Sequence, residues 1–201
     1  MNLIPVSMIF VAIYLVVTLF LCRGLKLGAR QIALAGMTCT LVILLTYIRI
    51  PLPIGTAVTF EFIPLMLLAL LVDPRLAMVT GVATGVLAAM IAPGWSIIHW
   101  AQFALEHLVC FSCMGYAGLF GRSRVRLTAG ILLAMVIKLT GHFLSGAIFY
   151  GQYAWAGWGP WAYSLVYNLS YVVPDCIVAI ILMNLMPLER LSKAIGKGAR
   201  A

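Results

Sequence analysis

Residues Leu127–Tyr150 read LTAGILLAMVIKLTGHFLSGAIFY. As a helix this stretch is long and apolar enough to cross the ~30 Å hydrocarbon core of a bilayer, yet it carries Lys138 and His142 in its interior. Ionisable groups are costly inside a membrane and, by default, mark functional sites. Lys138, His142, Gly146 and Tyr150 recur every four residues, so a helix aligns them in one stripe. The expectation is a membrane helix with one polar face turned toward its neighbours.

The rest of the chain agrees with that reading. Of 201 residues, 64% are hydrophobic and 9% charged, and the mean hydropathy is +1.12. A soluble domain carries about 25% charged residues, so these numbers exclude a water-facing surface, disorder, a secreted disulfide scaffold and a nucleic-acid-binding domain. Seven apolar stretches follow one another: Leu3–Cys22, Gln31–Ile48, Val58–Val72, Leu76–Ala92, Ile97–Phe120, Leu127–Tyr150 and Pro160–Met186. The third and fourth are joined by the tight turn Asp73-Pro74-Arg75, and Pro174 should kink the last. No Lys or Arg precedes the first stretch, and it exceeds a usual signal core, so it is expected to be a retained helix. The chain therefore reads as an all-α integral membrane protein with seven spans and no soluble domain.

The basic residues give the orientation. Arg23, Lys26, Arg30, Arg75, Arg122, Arg124, Arg126, Arg190, Lys193, Lys197 and Arg200 make eleven of the thirteen bases, and all fall on one side of the alternating spans. The positive-inside bias puts that side, with the C-terminus, in the cytoplasm and the N-terminus outside. The net charge of +8 is thus topology, and no nucleic-acid partner is implied. Cys110 and Cys113 have metal-ligand spacing but no companion pair, so helix packing is their expected role and no metal is assigned.

Counting inward from the outer ends groups the polar residues. Glu106 lies nine residues into the fifth span, roughly 13 Å deep at helical rise. His142 reaches a similar depth on the sixth span, and Tyr163 and Asn168 lie in the outer part of the seventh. Ser164, Asn168, Tyr171 and Asp175 form a second stripe. Trp95, Trp100, Trp155, Trp158 and Trp161 crowd the same side; an interfacial belt is their usual role, with Trp95 and Trp100 placed to line a pocket as well. A carboxylate, an imidazole, an amide and phenols among aromatic rings describe a pocket for a small, polar, aromatic, cationic ligand. Gly146 would let a ligand approach the helix backbone. The alternative is that His142 and Asn168 only hydrogen-bond neighbouring helices. Deeper in, Lys138 and Asp175 differ by about 4.5 Å in depth and are expected to pair. Glu61 could complement Arg49 or guard the pocket. Ala35 with Cys39, Gly36 with Thr40, and Gly81 with Gly85 suit close helix packing.

Two stretches resemble a known family: Gln102-Phe-Ala-Leu-Glu106 running on to Met114–Phe120, and Gly141–Tyr153 followed by Tyr163-Ser-Leu-Val-Tyr-Asn168. They are similar to the thiamine-specific substrate-binding (S) subunits of energy-coupling factor (ECF) transporters. The resemblance covers about residues 31–186. It implies a six-helix core holding vitamin at the outer face, with one additional N-terminal transmembrane helix here. By that resemblance, Glu106 faces the cationic thiazolium, and His142 and Gly146 line the pocket. Tyr150 stands where a stacking tryptophan is usual, and Tyr163 and Asn168 bond the aminopyrimidine. His107 replaces a phenol, which bears on the hydroxyethyl arm. The family's first-loop tryptophan has no equivalent in Pro51–Thr59. Its paired alanines, which dock on the coupling subunit, are represented by Ala35 with Cys39.

The resemblance divides the chain into an extra helix and basic loop (1–30), a membrane core (31–186) and a basic cytoplasmic tail (187–201). No phosphate-binding Gly-x-x-x-x-Gly-Lys-Ser/Thr loop is present, so ATP hydrolysis would belong to partners: a transmembrane coupling subunit and two ATPase subunits in the cell membrane. The chain itself would be a binding subunit without cofactor. The candidate substrate-binding set is Glu106, His142, Gly146, Tyr150, Tyr163, Asn168, His107 and Trp100. Three alternatives remain open at this stage. One is an S subunit for another vitamin or precursor (hydroxymethylpyrimidine, riboflavin, biotin). A second is a small membrane enzyme using Glu106 and His142 as acid and base. The last is a photoreceptor with retinal on Lys138.

Overall fold

A computed structural model describes residues 3–91 and 97–197. Trp95 and Arg200 lie outside the described residues, as does the side chain of Lys197. The elements are α1 (Ile4–Leu21), α2 (Ala29–Leu45), β1 (Arg49–Pro51), β2 (Ala57–Thr59), α3 (Phe62–Leu71) and α4 (Pro74–Ile91). Then come α5 (residues 100–118), α6 (Arg124–Phe149), α7 (Pro160–Leu185) and α8 (Leu188–Lys197). Helices α1, α4, α6 and α7 are long and apolar enough to cross a membrane, and α2 and α3 are shorter apolar helices. With α5 they follow the seven stretches in order, and α7 runs unbroken through Pro174.

Two stretches depart from the expected plain spans. The third begins as a strand: Ala57–Thr59 pairs antiparallel with Arg49–Pro51, placing Ile50 opposite Val58. The β-branched Val58 and Thr59 favour that pairing, and Gly55 at φ +86° turns the chain between the strands. Only the 10 residues of α3 remain helical, about 15 Å of rise. The fifth changes pitch along its length: α over Trp100–Phe103, π over Ala104–Val109, α over Cys110–Ser112, and 3-10 over Cys113–Gly118.

This irregular α5 runs through the core between closely packed neighbours. A Cβ on Gly81 of α4 would lie 2.5 Å from the Phe111 carbonyl oxygen, and one on Gly85 would collide with that of His107. Both glycines therefore let the α4 and α5 backbones touch, as small residues do between membrane helices. Cys39 of α2 reaches α4, its Sγ 3.0 Å from Thr84 Oγ1. Gly36 and Thr40, expected at a helix contact, instead face outward. The additional helix α1 is joined to α5 by two hydroxyl pairs: Tyr14 with Ser112 at 2.6 Å and Thr18 with Tyr116 at 2.8 Å. The basic tail contains a helix that the sequence reading did not specify. α8 is tied back by Ser192 Oγ donating to the Leu71 carbonyl (3.3 Å) and Arg30 donating to that of Ile195 (2.5 Å).

Candidate ligand-binding cavity

A cavity of about 730 Å³ opens among α3, α5, α6 and α7 beneath the β1–β2 hairpin. All four members of the α6 stripe, Lys138, His142, Gly146 and Tyr150, line it. Four-residue spacing on a helix put them on one face, and packing against α5 and α7 turned that face inward. From α7 come Tyr163, Ser164, Asn168 and Tyr171; from α5, Glu106 and His107. Seven of the eight candidate residues thus share one cavity. The eighth, Trp100, is absent from the lining and 61% exposed, with its ring beside His99 at 5.5 Å. Trp155 reaches a lining residue, meeting the Tyr163 ring edge-on at 5.1 Å.

Glu106 sits on the π-helical turn, which also carries His107 to the cavity wall. Both its carboxylate oxygens accept hydrogen bonds from neutral donors: Oε2 from Gln102 Nε2 at 2.5 Å and Oε1 from Ser145 Oγ at 2.6 Å. Gln102 Nε2 also lies 3.3 Å from the Tyr150 hydroxyl, joining α5 to α6. The carboxylate is therefore fixed in place with no cation bonded to it among the described residues. Sequence reading did not single out Gln102 or Ser145. Gln102 stands four residues before Glu106, a readable helical pair, whereas Ser145 lies off the α6 stripe and carried no signal.

The second carboxylate is held differently. Asp175 is fully buried, and its Oδ2 accepts from Lys138 Nζ at 3.0 Å while Oδ1 accepts from the Thr59 backbone N–H at 3.1 Å. The expected Lys138–Asp175 pair is present, and it also anchors the last residue of β2. Lys138 Nζ lies 5.4 Å from the Phe62 ring centroid and 6.0 Å from that of Tyr171, within cation–π range. Glu61 lines the cavity with Arg49, and its Oε2 is buried without a hydrogen-bond partner among the described residues.

Asn168 is engaged with protein on both sides of its amide. Nδ2 donates to the Ser164 carbonyl (2.7 Å), and Oδ1 accepts from Tyr171 Oη (2.6 Å). Each carbonyl oxygen has two lone pairs, so Oδ1 can accept a second bond. Gly146 serves helix packing directly: a Cβ there would strike Ser164 Oγ and sit 3.2 Å from Asn168 Nδ2. The close approach it permits is that of α7. Tyr163, Tyr167 and Tyr171 form an aromatic ladder down one wall, with successive centroids 5.5 and 6.3 Å apart. The Tyr167 hydroxyl reaches the Gly55 carbonyl at the hairpin turn, at 3.3 Å. Cys110 and Cys113 donate their thiols to backbone carbonyls, Cys110 to Leu105 (3.1 Å) and Cys113 to Cys110 (3.2 Å).

This arrangement presents a fixed carboxylate, an aromatic wall and several hydrogen-bonding groups in a volume suited to a small organic cation. Among known proteins, the family model described as thiamine transporter protein matches residues 32–195. The thiamine transporter ThiT of Bacillus subtilis is 28% identical over 172 residues, covering 78% of this chain and 89% of that protein. The ThiT of Lacticaseibacillus paracasei is 27% identical over 106 residues, covering 46% and 53%. Among solved structures, a ThiT from Listeria monocytogenes superposes with a TM-score of 0.67 at 22% identity, covering 81% of this chain and 96% of that one. The S component of a bacterial ECF transporter gives 0.52 at 14% identity, covering 86% and 98%. These two likenesses concern the fold.

Proposed function

Since the chain belongs to the thiamine transporter family, we propose that it is the thiamine-capturing S subunit of an ECF importer. Membership of a transporter family sets aside the enzyme and photoreceptor readings. The chain is a multi-pass membrane protein that works by binding, and ATP hydrolysis belongs to its partners, two ATPase subunits joined through a transmembrane coupling subunit. The N-terminus lies outside and the C-terminus in the cytoplasm, as the basic loops argue. The cavity then opens outward and the β1–β2 hairpin covers it.

The observation that carries this reading is the Glu106 carboxylate, fixed between Gln102 and Ser145 inside an aromatic-walled cavity. A thiazolium cation supplies the positive charge that the carboxylate lacks. In this reading His142 and Tyr150 flank the ligand, Tyr163 and Asn168 meet its aminopyrimidine, and His107 faces the hydroxyethyl arm. Each cation–π contact adds about 0.5–2 kcal/mol. Cys39 is buried against Thr84 of α4 and Ala35 packs on the core, so this pair does not present the docking face that the resemblance implied.

Titrating the intrinsic fluorescence of purified protein tests the proposal. Thiamine should quench saturably, while riboflavin, biotin and hydroxymethylpyrimidine should bind far more weakly. Saturable quenching by one of those with none by thiamine would overturn the ligand assignment.

A further inference from the structure

At the end of the bundle away from the cavity, three arginines surround a cleft that vitamin binding does not use. It lies between the start of α6, the end of α7 and the start of α8, with a volume of about 290 Å³. Arg122, Arg124 and Arg190 line it, opposed by a single carboxylate, Glu189. Its floor is apolar, formed by the buried side chains of Leu127, Met183 and Leu188. Arg122 Nε donates to the Leu70 carbonyl at 2.5 Å, which pins that guanidinium at the cleft. At the N-cap of α6, the Ser123 side chain does not cap the helix with a hydrogen bond. The positive end of the helix dipole therefore adds to the arginine charge.

The position of the cleft selects its ligand. α6 and α7 both qualify as membrane spans, and the cleft sits where the first starts and the second ends. Val125 and Leu185 beside it are 82% and 77% exposed, the surface expected of residues facing lipid. α8 continues from the cleft with Leu188 turned inward and Arg190 and Lys193 outward. Guanidinium groups match phosphate oxygens in pairs, and basic pockets between membrane helices bind anionic headgroups. A free phosphate would use the arginines but gain nothing from the exposed apolar surface of Val125 and Leu185 beside them.

We propose that this cleft seats the phosphate of an anionic phospholipid from the adjoining leaflet, held by Arg124 and Arg190 beside the pinned Arg122. The lipid's apolar part lies along the Val125 and Leu185 surface. Such a lipid anchors the α6, α7 and α8 ends at the membrane surface, remote from the vitamin site.

Native mass spectrometry of the full chain, titrated with phosphatidylglycerol and with phosphatidylcholine of identical acyl chains, tests this. Phosphatidylglycerol should bind about tenfold more tightly, and Arg124→Gln with Arg190→Gln should erase that preference while thiamine affinity is unchanged. Glu189→Gln, which removes the opposing carboxylate, should tighten phosphatidylglycerol binding and provides an independent arm if the double variant folds poorly. Equal binding of the two lipids, undiminished preference in the double variant, or no gain from Glu189→Gln would overturn the proposal. Inorganic phosphate that displaces phosphatidylglycerol at equal concentration would show the site to be one for free phosphate and would also overturn it.

Discussion

Of the buried carboxylates in this protein, Asp175 and Glu106 have surroundings that differ in kind. Asp175 is bonded to Lys138 Nζ and the Thr59 amide, so its charge is met by a protein cation. Glu106 is bonded to Gln102 and Ser145, so its oxygens are oriented but its charge is left for something else to meet. The first arrangement holds helices together; the second is the one proposed to receive a cation. By helical count Asp175 is also the deeper of the two, but depth does not set their roles. The charge of the bonded partner does.

The largest effect should come from breaking the Asp175 site. Asp175→Asn keeps an acceptor for the Thr59 amide but strands Lys138 in the core. Removing one partner of a buried pair costs about 3–5 kcal/mol, and thermal unfolding in detergent should fall accordingly. Joining Lys138→Met to Asp175→Asn should recover most of the loss, because the stranded ammonium is gone. Exchanging the two charges, Lys138→Asp with Asp175→Lys, should likewise unfold later than either single change. If the double variants are no more stable than the singles, the pair is not the structural element described.

Glu106 should behave in the opposite way. Glu106→Gln should leave the melting temperature of the unliganded protein nearly unchanged. It should weaken thiamine binding at least tenfold, about 1.4 kcal/mol, and the stabilisation that thiamine confers should shrink with it. A fall in unliganded stability matching that of Asp175→Asn would erase the distinction between the two carboxylates.

That contrast was only half legible in the sequence. The residues on three- and four-residue spacings, Lys138 through Tyr150 and Ser164 through Asp175, were readable because helical period fixes which side chains share a face. Depth counting matched Glu106 to them and foresaw the Lys138–Asp175 pair. Nothing in the sequence announced Ser145, since a serine in a membrane helix usually bonds its own backbone. The π-helical turn at Ala104–Val109 has no compositional signature, and it places His107 beside Glu106 on the wall. The β1–β2 hairpin was hidden because Val58 and Thr59 continue directly into an apolar run. Trp100 was misjudged as a cavity residue because sequence depth says nothing about which way a side chain turns near a helix start.

Ser145→Ala gives a smaller and sharper test of the Glu106 site. It removes one neutral donor, leaving the carboxylate held by Gln102 alone. A hydrogen bond to a charged group contributes about 1.5–3 kcal/mol, and the cation and water in the cavity can recover part of it. Thiamine affinity should therefore fall several-fold, less than in Glu106→Gln, with little loss in melting temperature. Combined with Glu106→Gln, the serine change should add almost nothing, because the two act on one carboxylate. Full additivity would mean that Ser145 acts on the ligand by another route.

The smallest effect is expected at Cys110, which lies between the two sites. Its thiol donates to the Leu105 carbonyl on α5 and to the Lys138 carbonyl on α6, at 3.1 and 3.5 Å. It therefore touches the backbone of the helix that carries Lys138 and that of the helix that carries Glu106. Cys110→Ser keeps a donor of similar size, so both carboxylates should retain their partners. Stability and thiamine affinity should each change less than in any of the variants above. A selective loss of thiamine affinity would mean that the separation between the α5 and α6 backbones tunes the Glu106 site. A loss of stability alone would tie Cys110 to the Lys138–Asp175 side. Either result would show that the two carboxylates are coupled through α5 and α6, where the hydrogen bonding describes two independent sites.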